Sequence, residues 1–144
     1  MFEDIEFMKA TADQLNIGLV VTNRDDRIII FNRLAGQMLE IDPMERIGST
    51  IYSCHPKESE PIIRKMIGDI RSGVLDHFEG WLNFRGRLLY EYICPIRDRS
   101  GNFLGLTEEL HDRAELSNYL KADGKWAEPH ISGIGHRSPR PPEF

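Results

Sequence analysis

The densest chemistry in the sequence lies in the run Tyr52-Ser53-Cys54-His55-Pro56-Lys57-Glu58-Ser59-Glu60-Pro61. A neutral imidazole ligates metals and haem iron, and a rigid neighbour such as Pro56 at the mouth of a helix fixes where the His55 ring points. The same residues also read structurally, because a histidine ahead of a proline at a helix entrance caps or hydrogen-bonds the backbone. Zinc held by Cys54, His55 and Cys94 would require ligands adjacent at 54 and 55, without the loop spacing that zinc sites use. Cys94, in a strand-like stretch, reads as a small buried hydrophobe. Of the other histidines, His77 falls on the solvent face of a strand, His111 ends the last strand, and His130 and His136 lie in the tail.

Catalytic signatures are missing. The sequence has no Gly-rich phosphate loop, no Gly-x-Ser-x-Gly elbow and no His-Glu-x-x-His, so the expectation is that the protein is not an enzyme. Asp25/Asp26 and Glu108/Glu109 are paired acids, read here as solvated surface on a turn and an outer strand. Arg85, Arg87, Arg97 and Arg99 read as edge charges that discourage strand pairing.

The elements that must position these groups follow from periodicity. Phe2, Ile5, Met8, Ala12 and Leu15 recur at helical spacing and predict an amphipathic helix over residues 1–15, packing on its own sheet or on a second copy. Ile17–Thr22 and Arg27–Phe31 predict a hairpin about Asn23-Arg24-Asp25-Asp26. Asn32 is placed to cap a helix through Leu34, Ala35, Met38 and Leu39, and Asp42-Pro43-Met44-Glu45 starts a further short turn. Ser59 is placed to cap a helix with Pro61 early in it, an apolar stripe of Ile62, Ile63, Met66, Ile67 and Ile70, and a stop at Ser72-Gly73. Three strands follow, over 76–84, 88–96 and 102–111. In the first, Phe78, Gly80, Leu82 and Phe84 share a face; in the second, Tyr90, Tyr92 and Cys94 alternate with Leu89, Glu91 and Ile93. This order describes an α+β fold, a five-stranded antiparallel sheet with helices on one face.

Composition sets the outer bounds. The 144 residues are 40% hydrophobic and 28% charged, enough for one domain and one core. The domain spans 16–116, and 117–144 reads as a disordered tail, since apolar periodicity stops and Gly and Pro accumulate from Lys121. A formal charge of -5 without a basic face argues against nucleic-acid binding by this domain. Two cysteines without paired spacing suit a reducing cytoplasm. The acidic start and the lack of a long apolar run predict neither export nor a membrane span.

The element order, the hairpin followed by Asn32, and the ending Gly101-Asn102-Phe103-Leu104-Gly105 with Glu108 and Asp112 resemble a PAS domain over roughly residues 14–116. That resemblance implies a sensory or interaction module with a cavity between sheet and helices. Such a cavity takes haem, flavin, a metabolite or nothing, and such domains pair through flanking helices. Neither cysteine has the context of the flavin-cysteinyl photosensors. The run Cys54-His55-Pro56-x-x-Ser59 is similar to a Cys-His-Pro subgroup and to the haem-binding PAS domains of carbon-monoxide-responsive regulators. By that likeness His55 would be the axial iron ligand of a b-type haem. Their methionine ligand has no counterpart, since Gly80 or Trp81 stands near its position. The cofactor-binding set implied is His55, Ile63, Met66, Ile67, Phe78, Gly80, Leu82 and Tyr92, with Gly80 leaving room for a flat macrocycle. The expected partners are a second copy, a diatomic gas (CO, NO or O2) and a signalling protein in trans. The alternative is a PAS module that binds a small metabolite or no cofactor and acts by dimerisation or other protein contact.

Overall fold

The computed structural model describes residues 2–112 and residue 114. Helix α1 (Phe2–Gln14) leads into strands β1 (Gly18–Asn23) and β2 (Ile28–Phe31) and helix α2 (Arg33–Leu39). Short 3-10 turns at Pro43–Glu45, Ile51–Cys54 and Lys57–Ser59 run into helix α3 (Glu60–Ser72). Strands β3 (Phe78–Phe84), β4 (Arg87–Arg97) and β5 (Phe103–Asp112) complete the fold. The strands form one sheet in the order β2-β1-β5-β4-β3, every neighbour antiparallel. β5, last in sequence, therefore lies between the two hairpins. The expected tail over 117–144 falls outside the described residues.

Strand alternation divides the sheet into two faces. Val20, Ile28, Phe31, Leu89, Ile93, Leu106 and Leu110 pack with Ala35 and Met38 of α2, Ile51, and Ile67 and Ile70 of α3. Fully burying a side chain such as Ile28, Ile70, Leu89 or Leu110 contributes about 1.5–3 kcal/mol. The pairing of β1 with β2 steps from Thr22↔Ile28 to Val21↔Ile30, skipping Ile29. That bulge lets Ile28 and Phe31 face the core while Ile30 joins Val21 and Ala12 on the outer face. The stripe of α1 is thus divided: Ala12 is buried on the sheet, while Ile5, Met8 and Leu15 remain exposed.

α3 departs from expectation at two places. Ile62 is 74% exposed, because Ile63, Met66, Ile67 and Ile70 already fill the inward arc and the residue before Ile63 is turned about 100° from it. Ser59 makes no side-chain cap. The preceding 3-10 turn is continuous with the helix instead, with Ser59 N–H donating to Pro56 O at 3.0 Å. At the other end Arg97 donates to the carbonyls of Ile70 and Arg71 at 2.9 and 3.1 Å, placing a cation where the helix dipole is negative.

Candidate functional site

His55 closes the 3-10 turn Ile51–Cys54 in extended conformation, the backbone a following proline favours. Its Nδ1 lies 3.0 Å from Ile51 O. A carbonyl only accepts, so Nδ1 is the donor, and in the neutral ring Nε2 keeps the lone pair. The side chain sits at an exposed rim with Glu91 among the charges it influences.

Glu91 and Glu108 are half-buried acids of the inner sheet face. On β4, Glu91 lies in phase with buried Leu89 and Ile93; on β5, Glu108 lies in phase with buried Leu106 and Leu110. In the ladder Glu91 pairs with Leu110 and Glu108 with Ile93, so the two acids are diagonal neighbours within side-chain reach. Burial pushes Glu108 up from its ordinary value of 4.5 to about 8, reinforced by repulsion from Glu91 and a hydrogen bond with it. Burial also raises Glu91, opposed by the same hydrogen bond and by the His55 imidazole. Two carboxyls this close in an apolar setting ionise one at a time. The reading of Glu108 as solvated surface is thereby corrected: it stands half-buried on the inner face, with Glu109 on the outer.

From the helical side, Cys54 and Arg46 complete this interior. Burial raises the Cys54 thiol, Arg46 draws it down and Glu108 raises it further. Among the described residues, two buried side-chain polar atoms lack hydrogen-bond partners, the Thr22 hydroxyl and Arg46 Nε. Thr22 pairs with Leu106 on the inner face, a diagonal step from Glu108, whose own partner on β1 is Val20.

The other expected site residues divide. Ile63, Met66, Ile67, Phe78 and Leu82 pack against the core cluster beneath α3. Gly80 faces inward, with the Phe78 ring 3.4 Å from where a Cβ would stand. Tyr92 is on the outer face, paired with Glu79 and Glu109 and stacked on His77 with centroids 5.0 Å apart. Alternation puts it opposite Glu91, and it does not belong to the interior set. Among the described residues, no group of three or more His, Cys, Asp or Glu is arranged to hold a metal ion.

Two polar clusters hold the interior's walls. Asp26, in the β1–β2 turn, accepts from the Tyr52 hydroxyl at 2.9 Å and from Arg71 at 2.7 Å, while the Arg64 guanidinium lies 3.9 Å over the Tyr52 ring. Burial and the bond to Asp26 push the Tyr52 phenol up to about 12. Asn32, 1% exposed, accepts from Leu19 N–H and Ala35 N–H at 2.8 and 2.9 Å and donates to Ala12 O and Ile17 O at 2.7 and 2.9 Å. One side chain thus joins α1 on the outer face to β1 and to the start of α2.

A family model described as PAS domain matches residues 8–112. No curated protein matches the chain. Among solved structures, a C-terminal domain from Streptococcus mutans is 22% identical, with 80% of this chain and 89% of that one covered and a TM-score of 0.67. The PAS domain of Bordetella pertussis BvgS is 17% identical over 86% and 96%, TM-score 0.58. Histidine kinase ThkA, in complex with the response regulator protein TrrA, is 18% identical over 81% of this chain and 34% of its own, TM-score 0.59. The family match spans most of α1 and all five strands, and with β5 between the two hairpins and Asn32 pinning the flanking helix, the chain belongs to the PAS domain family.

Proposed function

We propose that this PAS domain is a non-catalytic sensory module of the reducing cytoplasm that reads a small cationic or hydrogen-bond-donating metabolite at Glu91 and Glu108. It passes the result by protein–protein contact in trans. The observation that carries the reading is the pair of acids in phase with the buried residues of β4 and β5, facing Cys54 and His55. Interior carboxyls need a proton, a donor or a cation to be satisfied, which defines the ligand class. The output route runs through Asn32 to α1, whose exposed Ile5, Phe7 and Met8 offer a contact for a second copy or a signalling partner.

The reading of a b-type haem with His55 as axial ligand, answering to CO, NO or O2, is favoured by one observation: Nδ1 is tied to Ile51 O and Nε2 is free to ligate. The rest of the interior does not fit the group. The sheet face opposite carries Glu91 and Glu108, and haem would bring two further carboxylates.

The test is a thermal-shift panel of amines, amino acids, carboxylates and haemin on wild type, Glu108→Gln and His55→Ala. Stabilisation by amine-bearing compounds, lost in Glu108→Gln, is expected. Stabilisation by any compound that is indifferent to Glu108→Gln overturns the assignment.

A further inference from the structure

Glu91 and Glu108 project from adjacent strands into the space between the sheet and the segment from Ile51 to Ser72, at diagonal positions of the β4–β5 ladder. Their immediate register partners are apolar: Leu110 and Gly80 beside Glu91, Ile93 and Val20 beside Glu108. Titratable or charged groups bearing on them come from the helical side: His55 on Glu91, Cys54 on Glu108, and Arg46 on Cys54. α3 turns apolar Ile63, Met66, Ile67 and Ile70 toward this core. Its charged residues are engaged elsewhere, Arg64 with Glu60, Lys65 with Asp69 and Arg71 with Asp26. β1 adds only the unpartnered hydroxyl of Thr22. Among the described residues no cation is ion-paired to either acid, and the Arg46 guanidinium on the helical side bears on Cys54, so a second negative charge in this space would be desolvated without a paired counter-ion.

We infer that Glu91 and Glu108 form a one-proton switch: a single proton shared between the two carboxyls seats the Ile51–Ser72 segment on the sheet, and its loss unseats that segment. The inference rests on reading this interior as the sensing site, and gives the site a signal of its own in the absence of any metabolite. With the proton in place, one carboxylic acid donates to the other carboxylate and the pair carries one charge. Once it leaves to water, two carboxylates face each other across the β4–β5 ladder. The cheapest relief is admission of water from the rim at Cys54 and His55, since β5 is held on both sides by β1 and β4 while Ile51–Ser59 consists of short 3-10 turns. The raised Glu108 carboxyl, at about 8, puts the transition at the edge of the neutral range. Opening releases the proton into water, where the carboxyl returns to its ordinary value, so opening becomes easier with rising pH below the transition and levels off above it.

The experiment is a ¹³C titration of glutamate side-chain carboxyls, with amide exchange of residues 51–72 converted to opening constants over the same pH range. Wild type, Glu108→Gln, Glu91→Gln and His55→Gln are compared. In wild type, two coupled glutamate signals should titrate above the ordinary carboxylate range. The opening constant of residues 51–72 should rise by up to about tenfold per pH unit through the neutral range, and should exceed that of β1, which opens only with global unfolding, at every pH. Glu108→Gln should abolish the rise, with Glu91→Gln as the second test should that variant fold poorly. His55→Gln should retain it, which separates the pair from the imidazole. All glutamates titrating in the ordinary range, or a shifted pair with no pH dependence at residues 51–72, overturns the switch. Neither result touches the metabolite reading, which stands or falls on the thermal-shift panel.

Discussion

Replacing Asn32 by alanine removes both functions of its amide at once. Oδ1 accepts from Leu19 and Ala35 N–H, and Nδ2 donates to Ala12 and Ile17 O, all within 2.9 Å. At about 1 kcal/mol net for each bond, and with the helix cap of α2 counted among them, Asn32→Ala should cost about 4 kcal/mol. Domains of this size have roughly 5–15 kcal/mol in total, so the melting temperature should fall by on the order of 15–25 °C. Asn32→Asp separates the two halves of the amide. It keeps the accepting oxygen but turns a carboxylate oxygen toward two carbonyls, so it should be no better than alanine at neutral pH and should recover part of the loss in acid. Urea melts give the total, and amide exchange locates it: α1 and the first turn of α2 should lose protection before β4. A cost below about 1 kcal/mol, or uniform loss of protection, would refute the account of Asn32 as the tie between the flanking helix and the sheet.

Glycine scanning should give opposite signs at two sites. A Cβ on Gly105 would stand 2.0 Å from Thr22 O in the neighbouring strand, so Gly105→Ala should cost about 3 kcal/mol or more in denaturant melts. Gly68 in α3 has nothing within 4 Å of that position, so Gly68→Ala should stabilise by about 0.5–1 kcal/mol. Tyr52→Phe removes the hydroxyl donated to Asp26 and should cost about 1 kcal/mol, with the Arg71–Asp26 pair still formed; a cost near zero would mean that water replaces the phenol. For pH, the folded state holds a proton on Glu108 up to about 8 that the unfolded chain releases near 4.5. Stability should therefore fall as pH rises between those values, by on the order of 2–3 kcal/mol from about pH 5.5 to about pH 7.5. Stability that rises over that interval would contradict the protonated pair.

Much of the fold was legible because period and punctuation agree. Ile17–Thr22 and Arg27–Phe31 flank a polar turn, Asn32 precedes a helical run, and Arg85-Gly86 separates two alternating segments; the structure places strands, cap and a turn with positive φ at both residues there. The helix stripe is one residue too wide at Ile62, since four isoleucines among five stripe positions do not reveal which face the core takes. Tyr92 has aromatic character that suggests a pocket wall, but parity decides its face: Leu89, Glu91 and Ile93 share one face, which leaves Tyr92 on the other. The same parity holds the signal for the acids. An acid in phase with leucines and isoleucines on a strand covered by helices is interior, and Glu108, between Leu106 and Leu110, was read by its charge instead of its phase. The ladder offset that makes Glu91 and Glu108 neighbours is a property of strand register, which no local pattern contains.

The claim that the interior is built around two carboxyls, not around iron, is tested most directly by titrating haemin into wild type and His55→Ala and recording the Soret region, oxidised and reduced. The account predicts no stoichiometric, His55-dependent band in either state. A one-to-one band that shifts on reduction and is lost in His55→Ala would contradict it.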